Sequence, residues 1–291
     1  SSKFNPSTSS GLTLSGVERV KVQSSKLEKG VSDYDYFYPT SVMETGYDIL
    51  RWWVARMVMV GLYTTGKIPF EHIVLHGLVN DPLGKKMSKS KGNVVNPLEL
   101  VDQYGADAVR FALVYGNATG NDQSLSYSKL DAARKFTNKL WNMARFIDIN
   151  RSQKSILRQA QDKNQKYDNN FRPEADPPVA ETIEQLSNEA INNADKEMIK
   201  KVQNLIENVT KDLNNYNFNY AAERLYDFIW HEFADIYIED IKNRLNENSY
   251  LILTTLYLIL LKLLHPFMPF VTEEIYQRFN PPAGGGKSIM I

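Results

Sequence analysis

The apolar pattern of this 291-residue chain changes period at Pro97, and that change limits the folds open to it. Before Pro97, residues 40–79 mix short apolar runs with turn residues: a strand, a helix over Tyr47–Tyr63, a break at Gly66 and Pro69, and a buried strand over 72–79. The cluster Asn80-Asp81-Pro82-Leu83-Gly84 is a turn by its residue chemistry. Beyond Pro97, helical spacing dominates. Leu205, Val209 and Leu213, then Ala221, Leu225, Phe228 and Ile229 recur at three- and four-residue intervals, as a helix packed on one face requires. The expected fold is an α/β first part followed by an all-α second part, long enough to bury real cores.

Two stretches interrupt this order. Residues 1–32 are rich in Ser, Thr, Gly and Lys with little periodicity and are expected to be a flexible arm. Residues 150–178, polar and with Pro177-Pro178, are expected to be a linker. The run Tyr250–Leu264 is strongly apolar but is broken by Thr254, Thr255 and Lys262, so it suits a helix inside a bundle better than a membrane span. No charged and apolar leader opens the chain, which argues against secretion. Lys+Arg and Asp+Glu both number 34, so any nucleic-acid contact has to rest on local patches. The absence of cysteine excludes disulfides and thiolate metal sites and fits a cytoplasmic protein.

The densest chemistry lies in Lys85-Lys86-Met87-Ser88-Lys89-Ser90-Lys91-Gly92-Asn93, just after the apolar run Ile73–Val79. Lysine is a compact point charge on a flexible stem, and several on one loop suit a polyphosphate whose charge moves during reaction. A solvated basic turn is the plainer alternative. The string Lys86-Met87-Ser88-Lys89-Ser90 decides between them, because it resembles the signature loop of class I aminoacyl-tRNA synthetases. Its flanks narrow the resemblance. Thr45-Gly46-Tyr47-Asp48-Ile49-Leu50, Trp53-Val54-Ala55-Arg56-Met57, Tyr104-Gly105-Ala106-Asp107, Asn138-Lys139-Leu140-Trp141-Asn142 and His265-Pro266-Phe267-Met268-Pro269 follow the block order of the C-terminal half of the valyl-tRNA synthetases. The similarity covers about residues 33–150 and 190–291. It implies the second half of a Rossmann-like catalytic domain with its connecting fold over 33–127, and a helical anticodon-binding domain over 128–291.

In that family an amino-acid carboxylate attacks the α-phosphorus of ATP and pyrophosphate leaves, so positioning and charge stabilisation dominate. The resemblance implies that Lys86 and Lys89 hold the β- and γ-phosphates, with Met87, Ser88, Ser90, His76 and Gly77 completing the ATP side. It implies that Gly92 lets the loop close. Asp48, Ile49 and Trp53 would line the amino-acid site. The four-residue spacing of Ile49 and Trp53 is by itself what ordinary core packing produces. Arg51 and Trp52 depart from the apolar residues usual there. On the helix expected over Lys129–Ile149, Arg134, Lys135, Lys139 and Arg145 are candidates for tRNA phosphates, with Phe136, Trp141 and Phe146 interleaved. A solvated face over a core face fits the same pattern. The implied partners are valine, its tRNA(Val) and ATP, with Mg²⁺ carried by ATP and no metal ligand assigned to the protein.

The pattern also omits features. None of His72, His76, His231 and His265 forms the His-x-Gly-His motif that grips ATP from the opposite side, and the hydrolytic editing domain has no counterpart. The expectation is half an enzyme: inactive or nearly so alone, with the N-terminal half supplied by a second polypeptide, or else a non-catalytic tRNA-binding module or a truncated gene product. Two other motifs carry no weight. Gly284-Gly285-Gly286-Lys287-Ser288 lacks the first glycine of a P-loop, Pro281 standing in its place, and the sequon at Asn208 falls within a helical pattern.

Overall fold

The computed structural model describes residues 32–161, 192–279 and 288–289. The expected arm before residue 32, residues 162–178 of the expected linker and Gly284–Lys287 lie outside them. The chain divides into two compact units. One holds the described residues up to Met43 together with Val54–Ile73; the other holds Glu44–Trp53 and Val74 onward.

The first part is α/β, as expected. A short helix α1 (Asp33–Phe37) precedes strand β1 (Thr40–Gly46), which pairs with β2 (Phe70–His76). The helix between them, expected as α over Tyr47–Tyr63, opens instead with a 3₁₀ turn (Tyr47–Ile49) and a π-helical turn (Leu50–Val54) before becoming regular in α2 (Ala55–Thr65). Gly66 ends α2 at φ +71°, in the left-handed region that a side chain would strain. In the first unit, the Tyr38 hydroxyl donates to the Lys67 carbonyl at 3.1 Å. The expectation of a buried strand over 72–79 fails. Only Val74 of β2 is buried, because β1 is its sole sheet neighbour among the described residues.

In the second unit, β3 (Val79–Asn80) pairs in parallel with β4 (Gln123–Ser124), Val79 opposite Gln123 and Asn80 opposite Ser124. Between them lie α3 (Pro97–Tyr104), with Asn96 capping its start and Pro97 in the first turn, and α4 (Ala106–Val114). Helix α5 (Tyr127–Gln161) starts where the all-α part was expected and continues past residue 150. The bundle is completed by α6 (Asn193–Asn214), α7 (Phe218–Asp227), a π-helical segment (Phe228–Ile238), α8 (Glu239–Arg244), α9 (Glu247–Leu264) and α10 (Pro269–Phe279). Its core is the helical face seen in the sequence: Leu205, Val209, Ala221, Leu225 and Ile229 are buried, with Leu213 and Phe228 packed against them. The apolar run in α9 is buried in the bundle, where Tyr257 donates to the Leu140 carbonyl at 2.7 Å. Among the described residues no helix is long and apolar enough to cross a membrane.

Two buried carboxylates inside this core are paired. Asp195 accepts from the two terminal guanidinium nitrogens of Arg244, at 3.0 and 2.7 Å, and from Tyr237 Oη at 2.9 Å. Asp107 of α4, 6% exposed, accepts from the Phe270 N–H at 3.1 Å and the Val271 N–H at 2.6 Å. These are orphan donors of the first turn of α10, and Pro269 ahead of them has no N–H to satisfy. Arg110 adds a bond to the Pro266 carbonyl at 3.2 Å. Nearby, Thr272 Oγ1 donates to the Met268 carbonyl, so His265 Nδ1 must donate to Thr272 Oγ1 at 2.8 Å. His265 Nε2 is then a bare, buried acceptor with no partner among the described residues. Burial holds the imidazole below its ordinary pKa, against the pull of the Glu273 and Asp107 carboxylates.

Two outcomes follow from this packing. Asp107→Ala is expected to lower stability by about 2 kcal/mol, because one buried and one part-buried N–H group lose a charged acceptor, and Asp107→Asn should cost less; urea unfolding followed by tryptophan fluorescence measures both. His265 binds its proton more weakly folded than unfolded, so its contribution to stability is complete above about pH 6.5 and is lost as pH falls towards the folded pKa. The loss of stability between pH 7 and pH 5 should therefore be shallower in His265→Gln.

Candidate active site

The lysine loop is built on a turn that the sequence marked only as a turn. Asp81, 5% exposed, accepts through Oδ1 from the Leu83 N–H at 3.0 Å and the Lys85 N–H at 2.8 Å. Its Oδ2 accepts from Asn93 Nδ2 at 2.8 Å. The Asn93 amide and the Lys85 N–H hold this carboxyl below its ordinary pKa against the opposing effect of burial, so it remains an acceptor through neutral pH. Asn93 in turn accepts from the Ser88 N–H at 2.9 Å and donates to the Lys86 carbonyl at 3.3 Å. Asn80 bridges to Lys86 in antiparallel fashion. A 3₁₀ turn over Lys89–Lys91 ends at Gly92, whose φ of +67° is the conformation that lets the loop turn back.

On this frame Lys85, Lys86, Lys89, Ser90 and Lys91 are exposed, and Ser88 Oγ lies 2.8 Å from Ser90 Oγ. Met87 is turned inward against the core. Lys86 Nζ stands 3.5 Å from Asp48 Oδ2, so a residue expected on the ATP side and one expected on the amino-acid side are brought together. His76 is exposed, its Nδ1 2.8 Å from the Gly77 carbonyl and its Nε2 3.3 Å from Glu44 Oε1. Gly77 has a packing reason to be glycine: a Cβ there would stand 1.8 Å from the Asn121 carbonyl oxygen. The loop it touches is anchored by Asp122, which accepts from the Leu78 N–H at 2.7 Å and from Tyr47 Oη at 3.1 Å. That bond to Asp122 pushes the Tyr47 phenol above its ordinary pKa.

Ile49 closes the 3₁₀ turn and Trp53 stands in the π-helical turn; they are 39% and 58% exposed, and the described residues do not enclose them. Of the α5 cations, Lys139 is engaged within the bundle, 2.6 Å from Asp235 and over the Trp230 ring. Arg134 pairs with Asp131 at 3.6 Å and lies over Tyr104. Lys135 and Arg145 are exposed. Trp141 packs under the Arg278 guanidinium at 4.1 Å. Sequence reasoning missed Asp81, Asn93, Glu44 and Asp122. The one signal available was aspartate in a turn cluster two residues before its N–H partner, the pattern of an Asx-turn.

The chain matches two family models: tRNA synthetases class I (I, L, M and V) over residues 12–126, and the anticodon-binding domain of tRNA ligase over 195–291. It is 40% identical over 255 residues to the valine–tRNA ligase of Clostridium acetobutylicum, covering 85% of this chain and 26% of that protein. It is 40% identical over 256 residues to that of Thermotoga maritima, covering 87% and 26%. Among solved structures, the Mycobacterium tuberculosis methionyl-tRNA synthetase bound by methionyl-adenylate aligns at TM-score 0.60 and 19% identity, over 87% of this chain and 46% of that one. The Agrobacterium radiobacter LeuRS–tRNA–LeuAMS complex aligns at TM-score 0.58 and 20% identity, over 86% and 28%. The family models, with these structural likenesses in fold, establish a class I synthetase catalytic-domain portion followed by a helical anticodon-binding domain. The chain spans about a quarter of the length of the curated relatives it matches, and within that span it belongs to the valyl-tRNA synthetase family.

Proposed function

We propose that this chain supplies the phosphate-handling side of a valine-activating site, over residues 33–127, and a tRNA-binding helical domain from residue 128. The reaction is ATP-dependent formation of valyl-adenylate followed by transfer to tRNA(Val). The observation that carries this reading is the lysine loop on its polar frame, with Lys86 3.5 Å from Asp48, in a chain 40% identical to valine–tRNA ligases. Lys86 and Lys89 stabilise the charge that builds on departing pyrophosphate, with Ser88 and Ser90 as hydroxyl donors beside Met87. His76 and Gly77 border the nucleotide at the end of β2. Asp48 meets the ammonium group of valine or its adenylate, and Ile49 and Trp53 contact the branched side chain once the rest of the catalytic domain covers them. Mg²⁺ enters on ATP, and the loop itself presents cations to the phosphates. The remaining part of the catalytic domain comes from sequence beyond the quarter of the family's length represented here, on the same or a second polypeptide.

A second reading, a tRNA-binding module without catalysis, is favoured by the burial pattern. The fully buried large side chains, such as Phe136, Leu225 and Tyr257, belong mainly to the helical part, whereas Ile49 and Trp53 are exposed.

ATP–pyrophosphate exchange with valine separates the two readings, measured on this chain alone and with the N-terminal half supplied. Exchange only with the supplied half is expected, and Lys86→Ala and Lys89→Ala should each lower it by ~10²-fold while leaving tRNA binding intact. Absence of exchange in every combination, with tRNA still bound, would leave the module. Asp48→Asn is expected to act with opposite signs, tightening tripolyphosphate binding a few-fold by releasing Lys86 and lowering valine activation. For tRNA, Lys135→Ala and Arg145→Ala should each weaken binding and reduce the salt slope by ~0.7–0.9, whereas Lys139→Ala should change stability more than the slope.

A further inference from the structure

We propose that Asp81 and Asn93 are the positioning pair of the lysine loop, presetting Lys86 and Ser88 for a polyphosphate without touching it. The inference rests on the phosphate reading of the loop given above. Asn93 holds the Lys86–Met87–Ser88 tripeptide from both sides with one amide. Its Nδ2 donates to the Lys86 carbonyl and its Oδ1 accepts from the Ser88 N–H. A side-chain amide here does what a neighbouring strand would do, satisfying the donor and acceptor that flank Met87. The segment is extended at Ser88, with φ −150° and ψ 134°, and side chains alternate in extended chain. Met87 faces the core, so Lys86 and Ser88 are set to the other side, where Lys86 reaches Asp48.

An asparagine amide could make these bonds only in one of its two flipped orientations, and Asp81 selects it. The Asp81 carboxylate has no proton to give, so only the NH₂ end of Asn93 can face it, at 2.8 Å. The same carboxylate holds the Leu83 and Lys85 N–H groups, tying the start of the loop to its end. The bonds from Asn93 to this segment go to its backbone, at the Lys86 carbonyl and the Ser88 N–H. Their effect passes through the backbone.

The test uses the full chain, with tripolyphosphate as the probe in calorimetric titration and thermal melting as the fold control. Asp81→Asn sets one NH₂ group against another, and Asn93→Asp sets two carboxylates face to face. Each is expected to weaken tripolyphosphate binding about tenfold or more with an unchanged bundle melting transition. In the exchanged pair, Asp81→Asn with Asn93→Asp, Asn at 81 keeps an oxygen for Leu83 and Lys85 and donates to Asp at 93. The second oxygen of that carboxylate still accepts from Ser88, but the donor to the Lys86 carbonyl is replaced by an oxygen, so binding should recover in part. If both single variants bind as tightly as the parent while Lys86→Ala does not bind, the positioning role is overturned and the phosphate reading stands. If the parent itself binds no tripolyphosphate, the phosphate reading fails, and the proposal with it. Exchange protection at the Ser88 N–H separates the remaining case. Weak binding by the single variants with protection unchanged from the parent would overturn the bracket, and loss of protection regained in the exchanged pair would support it.

Discussion

One buried carboxylate joins the catalytic-type segment to the helical bundle. Asp107 lies on α4, yet it accepts the first free N–H groups of α10, 163 and 164 residues further along the chain. Removing a carboxylate from water is costly, and the cost is offset only where charged hydrogen bonds and a helix N-terminus meet it. The geometry therefore tolerates little displacement between α4 and α10. Everything carried by α4 inherits that registration. Helix α4 packs on α3 and α5, and α5 is preceded by β4, which pairs with β3. The lysine loop leaves directly from β3. A short series of backbone ladders and packed faces thus refers the loop to the bundle.

Charge is arranged differently at the two ends of this series. At the loop, the cations stand outward on a frame of neutral amides and one carboxylate, and Asp48 is the anion placed against Lys86. On α5, two of the four candidate cations are partnered: Lys139 is held by Asp235 and Trp230, and Arg134 by Asp131 and Tyr104. Such partners reduce what a cation can offer a phosphate, since exposed pairs and cation–π contacts must first be exchanged for the new contact. Lys135 and Arg145 carry no such obligation to Asp235 or Trp230, although they share the helix.

The legible parts of the sequence were those governed by local periodicity or by an unbroken motif. Leu205, Val209, Leu225 and Ile229 announced a packed helical face because helical repeat and burial coincide, and α9 was recognisable as a bundle helix because Thr254, Thr255 and Lys262 break its apolar run. The loop was recognisable from its string. Polar pairings between distant positions left no such trace. Nothing in periodicity links Lys139 to Asp235, 96 residues away, or Asp107 to the start of α10. Asp81 and Asn93 were hidden more subtly, because turn chemistry accounted for the aspartate and left its second oxygen unconsidered. The 3₁₀ and π turns at Tyr47–Val54 were also beyond reach, since apolar spacing in so short a run does not separate them from α-helix. The strand β2 was expected buried because of its run Ile73-Val74-Leu75, but burial depends on neighbours, and among the described residues β1 alone pairs with it.

At Gly77 packing alone already demands a glycine. A single methyl group there would collide with the Asn121 carbonyl and drive off the loop whose Asp122 fastens Leu78 and Tyr47. Tyr47 opens the turn that carries Asp48. An alanine at 77 would therefore disturb the Asp48–Lys86 pair from a distance, with no nucleotide involved. Loss of function in Gly77→Ala would then report a displaced scaffold at Asp48 and Lys86.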